Sequence, residues 1–363
     1  MVKVSRKELS DALSFVGKAV QSRTTLPVLS CVKMTYSGDL VLESTNLSSS
    51  LWRVVQNPDE VMGEAWSTAV PYDKLKSVVG VDAGKEVELS LKGDVLTVVI
   101  GKQKAQIKCL PADEFPLIAR DGFESVCFMD ADRLKGCVDR VAYAAVTSKE
   151  NQRLNAVYFD GLNSTLTLVA RDQIVGMAMI DTLVAPTVAF EALIPLQSIP
   201  LLSALDGMVE IALKDGQISF ATSETKITCQ LVGEKYYEYR KYIPAKFVTT
   251  LTGQQSGIKQ SLQVVSAFSK DDNNVCVLET RDGKVFVSSR GTEYGGSDSV
   301  VDCEIEGNDD FKYLLNAAHL IDVMGKASAH YTMSVANVSS GMAVVTSQPF
   351  DGWTAIFAFM NQK

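Results

Sequence analysis

The sequence predicts an α+β fold in which one unit, two helices packed on antiparallel sheets, is used three times along 363 residues. The first observation is a repeated strand–turn–strand. Val87-Glu-Leu-Ser-Leu-Lys-Gly-Asp-Val-Leu-Thr-Val98 returns as Val209-Glu-Ile-Ala-Leu-Lys-Asp-Gly-Gln-Ile-Ser-Phe220. Both halves alternate apolar and polar residues around a Gly/Asp turn. The second is a helical apolar stripe that opens each third of the chain. The third is a shorter helix signal after Pro71 and again after Pro195.

The units are expected at 1–120, 121–244 and 245–363, linked through Arg120-Asp-Gly122 and Ile243-Pro-Ala245. In unit one, Ser5-Arg-Lys-Glu8 has the spacing of a capping box. Leu9, Ala12, Leu13, Phe15, Val16 and Val20 continue it as a helix over 6–23. The matching helices are predicted over 130–149, with Leu134, Val138 and Val141, and over 257–270, with Leu262, Val265 and Phe268. Strand pairs follow at 40–44 with 48–54, 166–170 with 175–180, and 285–289 with 297–301. The second helices are predicted at 72–80, 196–206 and 311–326, the third centred on Tyr313–Met324. Proline suits a helix start because its missing N–H has no partner there; Pro200 shortens or delays the second copy. Strand hairpins at 87–100, 209–222 and about 331–346 close the units. Each unit then has seven or eight antiparallel strands, and the apolar stripes are core.

Composition narrows the function classes. With 46% hydrophobic residues, each unit can fill its own core. A net charge of −8 favours solubility and repels nucleic acid overall, although the local field decides contact. The seven cysteines, 31, 109, 127, 137, 229, 276 and 303, form no CxxC and are joined by only two histidines. They read as reduced, buried thiols of a cytosolic protein, with no structural zinc. The start Met-Val-Lys-Val-Ser-Arg-Lys-Glu lacks an apolar stretch, so no signal peptide is expected. No apolar run reaches the roughly 18 residues of a membrane span.

Within the predicted helices, 14 basic residues face 8 acidic ones, a net +6 that leaves −14 on the remainder. That split reads as a basic helical surface on an acidic body, suited to phosphates; ordinary solvated helix faces are the alternative. Lys18, Arg23, Lys149 and Arg153 lie near helix ends. Enzyme signals are missing: there is no GxSxG elbow, P-loop or GxGxxG. His319 sits on an apolar helical face, and Asp113-Glu114 and Asp309-Asp310 read as loop charges. No catalytic residue, metal or cofactor is expected.

Six segments, in order, carry a resemblance: Lys18-Ala-Val-Gln-Ser-Arg-Thr-Thr-Leu-Pro-Val-Leu-Ser30, Thr45-Asn-Leu47, Leu110-Pro-Ala-Asp-Glu-Phe-Pro116, Arg153-Leu-Asn-Ala-Val-Tyr-Phe159, Tyr236-Tyr-Glu-Tyr-Arg-Lys-Tyr-Ile-Pro244 and Leu315-Asn-Ala-Ala-His-Leu-Ile-Asp322. Together they resemble the bacterial sliding clamp family, the DNA polymerase III beta subunit. The resemblance implies three DNA-clamp domains per chain and two chains in a closed six-domain ring, with helices lining the hole. It implies a non-catalytic, cytoplasmic processivity factor that encircles double-stranded DNA. Its implied partners are the replicative DNA polymerase catalytic subunit, a clamp-loader ATPase, other polymerases and repair proteins bearing short clamp-binding peptides, and a second copy of itself. No membrane and no cofactor are involved.

Carried over residue by residue, the resemblance implies DNA contacts at Arg23, Lys149, Gln152 and Arg153. Leu196 and Gln197 replace a basic pair of the family. It implies a partner-peptide pocket at Leu154, Arg171, Ile174, Val175, Gly176, Tyr237, Lys241, Tyr242, Asn316, His319 and Met360. Here Asp172-Gln-Ile-Val-Gly176, Tyr237 and the tail Ala358-Phe-Met-Asn-Gln-Lys363 depart from the family pattern, which implies an altered peptide preference. Phe268 is the implied dimer contact, with ordinary core as its alternative. A diverged clamp paralogue, from a mobile element or unable to load, is the second reading of the whole chain.

Overall fold

A computed structural model describes residues 1–56, 64–146, 151–172, 176–270, 273–289, 295–336 and 341–360. Its first third runs β1 (Val2–Ser5), α1 (Arg6–Val16), β2 (Cys31–Ser37), β3 (Asp39–Thr45), β4 (Ser49–Val55), β5 (Trp66–Pro71), α2 (Tyr72–Val79), β6 (Glu86–Lys92), β7 (Val95–Ile100) and β8 (Gln103–Lys108). The middle third runs β9 (Glu124–Asp130), α3 (Ala131–Ala142), β10 (Ala156–Asp160), β11 (Thr167–Arg171), β12 (Gly176–Asp181), β13 (Glu191–Pro195), a 3-10 segment (Leu196–Ala204), β14 (Met208–Lys214), β15 (Gln217–Ala221) and β16 (Thr225–Gln230). The last third runs β17 (Phe247–Gln254), α4 (Gln255–Ser269), β18 (Val275–Arg281), β19 (Lys284–Ser289), β20 (Asp298–Val301), β21 (Cys303–Gly307), β22 (Lys312–Asn316), α5 (Ala317–Met324), β23 (His330–Ala336), β24 (Met342–Gln348) and β25 (Trp353–Ala358). One order recurs: strand, helix, four strands, helical segment, three strands. The last third inserts β21 as an extra strand.

The repeats join through their sheets. One sheet has the order β5-β2-β3-β4-β16-β15-β14-β9, and another β13-β10-β11-β12-β25-β24-β23-β17-β21. Both joins pair the third sheet strand of one repeat with the last strand of the next. β4 meets β16 antiparallel, with Leu51 opposite Ile227, and β12 meets β25, with Met177 opposite Ile356. Two four-strand sheets remain, β1-β6-β7-β8 and β20-β19-β18-β22. The chain forms two compact units: Met1–Asp132 with Gln197–Leu231, and Arg133–Leu196 with Val232–Lys363.

Local chemistry explains the elements. The Ser5 hydroxyl accepts the Glu8 N–H at 3.4 Å and caps α1, whose buried face is Leu9, Ala12, Leu13, Phe15 and Val16. The turns Asp215-Gly216 and Asp282-Gly283 have positive φ at both residues (45° and 76°, 52° and 70°), the conformation that lets two-residue hairpins follow strand twist.

Several helix limits differ from the sequence expectation. The first helix ends at Val16 rather than 23, and a 3-10 turn takes 17–19. Gly17 is needed there: a Cβ would lie 1.9 Å from the Tyr72 hydroxyl, so its absence lets α2 approach α1. α3 stops at Ala142, where Ala144 and Ala145 turn to i→i−3 bonds on Val141 and Ala142. Residues 196–204 are 3-10, with Pro200 unable to donate to a helical ladder. The third second-helix begins at Ala317, because Tyr313, Leu314 and Leu315 are buried in β22, paired to β18.

These limits also shrink the charge split. α1 to α5 and the 196–204 segment together hold eight basic and six acidic residues. Much of the positive excess falls outside these helices, at Lys18 in the 3-10 turn, Arg23, Lys270, Lys312 on β22 and Lys326. All seven cysteines are free, and Cys303 alone is not fully buried. Among the described residues, no helix is long and apolar enough to cross a membrane, and no group of three or more candidate ligands could hold a metal.

Candidate functional site

Within the second compact unit, the seam between β12 and β25 is floored by the register pairs Gly176–Phe357 and Met177–Ile356. Over it lie Tyr143 and Ala144, just past the end of α3, and His319, Asp322 and Val323 on α5. Together with Val146 and Asp172 they enclose a cavity of about 120 Å³. Its largely apolar walls with a few polar groups are those of a small ligand-binding pocket. Burial, then the Asp322 charge, pushes the Tyr143 phenol up, so it stays neutral.

Two local devices set this geometry. Asn316 caps α5: its side-chain oxygen accepts the His319 backbone N–H at 3.2 Å, which fixes the helix turn that carries His319. Asp172 accepts the Gly176 N–H at 2.8 Å through its carboxylate and so shapes the entry to β12.

Beside the cavity stands a stack of cations and rings. The guanidinium carbons of Arg153 and Arg171 lie 4.7 and 4.8 Å from the Tyr237 ring centre, and Arg171 lies 4.7 Å from that of Tyr242. Arg153 Nε is 2.9 Å from a Glu234 carboxylate oxygen, and Arg171 Nε donates to the Asp172 carbonyl at 3.0 Å. The Tyr237 hydroxyl accepts from Asn151 Nδ2 at 2.7 Å. Tyr236 and Tyr239 pack into one apolar cluster with Met177 and Ile356, so stack and cavity share a floor. Burial pushes the Tyr236 phenol up, and it too stays neutral.

The residues named from sequence fall into several places. Gly176 and His319 line the cavity. Arg171, Tyr237 and Tyr242 form the stack, and Arg153, expected at DNA, stands in it as well. Lys241 is exposed and paired with Glu238. Leu154 is buried, its carbonyl accepting the Val146 N–H at 3.1 Å. Met360 bonds β22 through its N–H to the Leu314 carbonyl at 2.7 Å, and Phe359 stacks on Tyr313 at 4.3 Å. Arg23 and Gln152 are exposed. Lys149, Ile174 and Val175 lie outside the described residues. Sequence reasoning missed Tyr143, Met177, Asp322, Val323, Ile356 and Phe357. The short apolar run Trp353-Thr-Ala-Ile-Phe-Ala358 after Gly352 was the signal for the last two.

Phe268, near the end of α4, is 36% exposed at the margin of the helix face that buries Ile258, Leu262 and Val265. Val264 and, on β20, Val300 are also exposed. The Ser261 hydroxyl donates to the Val300 carbonyl at 3.4 Å and ties α4 to that strand.

Comparison with known proteins agrees with this architecture. Residues 1–119 match the family model described as the DNA polymerase III beta subunit, N-terminal domain. The Beta sliding clamp of Pseudomonas aeruginosa is 25% identical over 351 residues, 94% of each chain. That of Caulobacter vibrioides is 24% identical over 337 residues, 89% of each. In fold, the chain is similar to the crystal structure of the Pseudomonas aeruginosa DNA polymerase III subunit beta, at 22% identity and TM-score 0.92, covering 99% of this chain and 100% of that one. The Thermotoga maritima beta subunit gives 21% identity and TM-score 0.89, covering 100% and 99%. With the thrice-used element order and the sheet-joined repeats, these likenesses make residues 1–119 a match to the DNA polymerase III beta subunit family and the chain, over nearly its whole length, similar to bacterial beta sliding clamps.

Proposed function

We propose that two copies of this chain close head to tail into a ring of six repeats that encircles duplex DNA and tethers a polymerase through short peptides. The observation that carries this reading is the joining rule of the sheets. Twice within the chain, the third sheet strand of one repeat pairs with the last strand of the next, β4 with β16 and β12 with β25. The corresponding strands left over are β20 in the last repeat and β8 in the first, each at the edge of a four-strand sheet. Applied once more, the rule pairs β20 with β8 of another copy, and two copies leave no unpaired junction. Chemistry supports the match. β8 carries Lys104 and Lys108 and no acid, whereas β20 carries Asp298 and no base. Val264, Phe268 and Val300 add an exposed apolar patch beside β20.

On this reading, Lys18 and Arg23, with Gln152, Arg153 and Lys149, meet phosphates without reading bases, so the ring can slide. The cavity at the β12–β25 seam and its cationic rim take apolar anchors from the replicative polymerase catalytic subunit, other polymerases and repair proteins. A loader ATPase opens the ring. The protein performs no chemistry, needs no cofactor and works in the cytoplasm, and the three repeats are its domains. The test is retention on nicked circular plasmid after incubation with the source cell's clamp-loader fraction and ATP. The reading predicts co-elution with circles and release when the plasmid is linearised. Equal retention on linear DNA, or none on circles, contradicts it.

A further inference from the structure

We propose that Arg171 clasps the carboxylate of an acidic side chain in the docked peptide, so that this pocket selects segments whose apolar anchors are flanked by Asp or Glu. The inference rests on the peptide-pocket reading above.

Arg171 is held in place before any ligand arrives. Its guanidinium lies between the rings of Tyr237 and Tyr242, at 4.8 and 4.7 Å, and its Nε is committed to the Asp172 carbonyl at 3.0 Å. One edge of the group is therefore anchored, and the Nη edge remains for a planar, two-oxygen acceptor. Little rotamer freedom is left to lose on binding, which is what makes such a contact effective.

The neighbouring cations are already compensated. Arg153 faces Glu234, Lys241 faces Glu238, and Arg240 faces the buried Asp160. Among the described residues Arg171 makes no ion pair, so it carries the uncompensated positive charge of the rim. It is half-buried, where a charge–charge contact is screened less than on open surface. The adjoining residues Asp172 and Gly176 line the cavity. Asp172 and Asp322 in the cavity wall oppose a second acid there, so the peptide's acid belongs on the Arg171 side of its apolar anchors.

The experiment measures fluorescence anisotropy with acetylated, C-amidated peptides bearing a Leu and a Phe anchor, with one Asp or Asn scanned along the flank. C-amidation removes the terminal carboxylate as a rival ligand. At about 50 mM salt the wild-type chain should bind the best Asp peptide about fivefold more tightly than its Asn twin. In Arg171→Gln the ratio should fall to within about twofold, and Arg171→Lys should recover only part of the preference. In the wild-type chain, which needs no variant to fold, the Asp/Asn ratio should shrink towards one as salt rises to about 500 mM. No Asp/Asn difference in the wild type, or a difference that survives Arg171→Gln, overturns the inference while leaving the pocket standing. If neither peptide binds, the pocket reading fails and the inference with it.

Discussion

Buried carboxylates at the inter-repeat links show how single residues hold this chain together. Glu43 on β3 is 2% exposed and is gripped by both ends of the Arg120 guanidinium, with Lys33 at 4.0 Å. Asp160 at the end of β10 is also buried; it accepts the Tyr239 hydroxyl at 2.6 Å and Arg240 at 3.1 Å. Each link segment thus carries an arginine to a carboxylate sunk in a sheet. Removing one partner strands the other, so Arg120→Met should cost about 2 kcal/mol in urea unfolding, and Glu43→Leu added to it should restore most of that. A full loss in the double variant would deny the pair its role.

Arg140 offers a pH test at the same scale. It donates to Asp351 at 2.7 Å, to Ser347 at 2.8 Å and to the Lys326 carbonyl at 3.0 Å, over the Trp353 ring. Burial alone would raise the Asp351 carboxyl, but hydrogen bonds from Arg140 and the Trp353 N–H, with the Arg140 charge, outweigh it and hold it below the usual aspartate range. A depressed carboxyl stabilises the fold above its unfolded value and loses that contribution as pH falls through its folded value. Asp351→Asn should therefore lower the thermal midpoint at pH about 7 and show a shallower decline than wild type below pH about 4. Parallel pH curves would show that the carboxylate contributes nothing.

At the scale of elements, α4 and α5 separate what the sequence made readable from what it did not. The α4 stripe of Ile258, Leu262 and Val265 was legible because three core contacts at helical spacing leave little choice. Phe268 was ambiguous because it sits at the stripe's margin, and its exposure appears only once Ile258 fixes which face is inside. α5 was drawn too long: Tyr313, Leu314 and Leu315 are apolar without a period, so strand and helix fit equally until β18 pairs with them. The joining strands β8, β16 and β25 went unseen for a related reason. Gln103-Lys-Ala-Gln-Ile-Lys108 has only one fully buried side chain although it pairs with the adjacent β7, and β16 and β25 also pair with strands far back along the chain, β4 and β12. The cavity was half legible, since Gly176 and His319 sit in motif-like segments, whereas Met177 and Ile356 meet only through the β12–β25 register. Two outcomes belong here. Asn316→Ala should cost about 1 kcal/mol through the lost α5 cap and weaken peptide binding, read by thermal melt and anisotropy. Phe268→Asp should leave the melt of the isolated chain nearly unchanged yet move the association equilibrium towards monomer in sedimentation velocity. Unfolding of that variant would place Phe268 in the core.

The whole molecule is a repeat that leaves two ends of its own pattern unfilled. Its −8 charge disfavours nucleic acid overall, so on the proposed reading DNA contact falls to local positive residues such as Lys18 and Arg23 in the first compact unit. Lys18→Glu with Arg23→Glu should reduce retention on circular DNA without altering the dimer. The variant's retention should also depend less steeply on salt, in proportion to the phosphates it no longer neutralises. Unchanged retention would move the DNA contacts elsewhere. Beneath all of these outcomes lies the closure of two copies through β20 and β8. Sedimentation equilibrium without DNA at micromolar concentration tests it most directly: closure predicts twice the 39.4 kDa chain mass, and a persistent single-chain mass would contradict it.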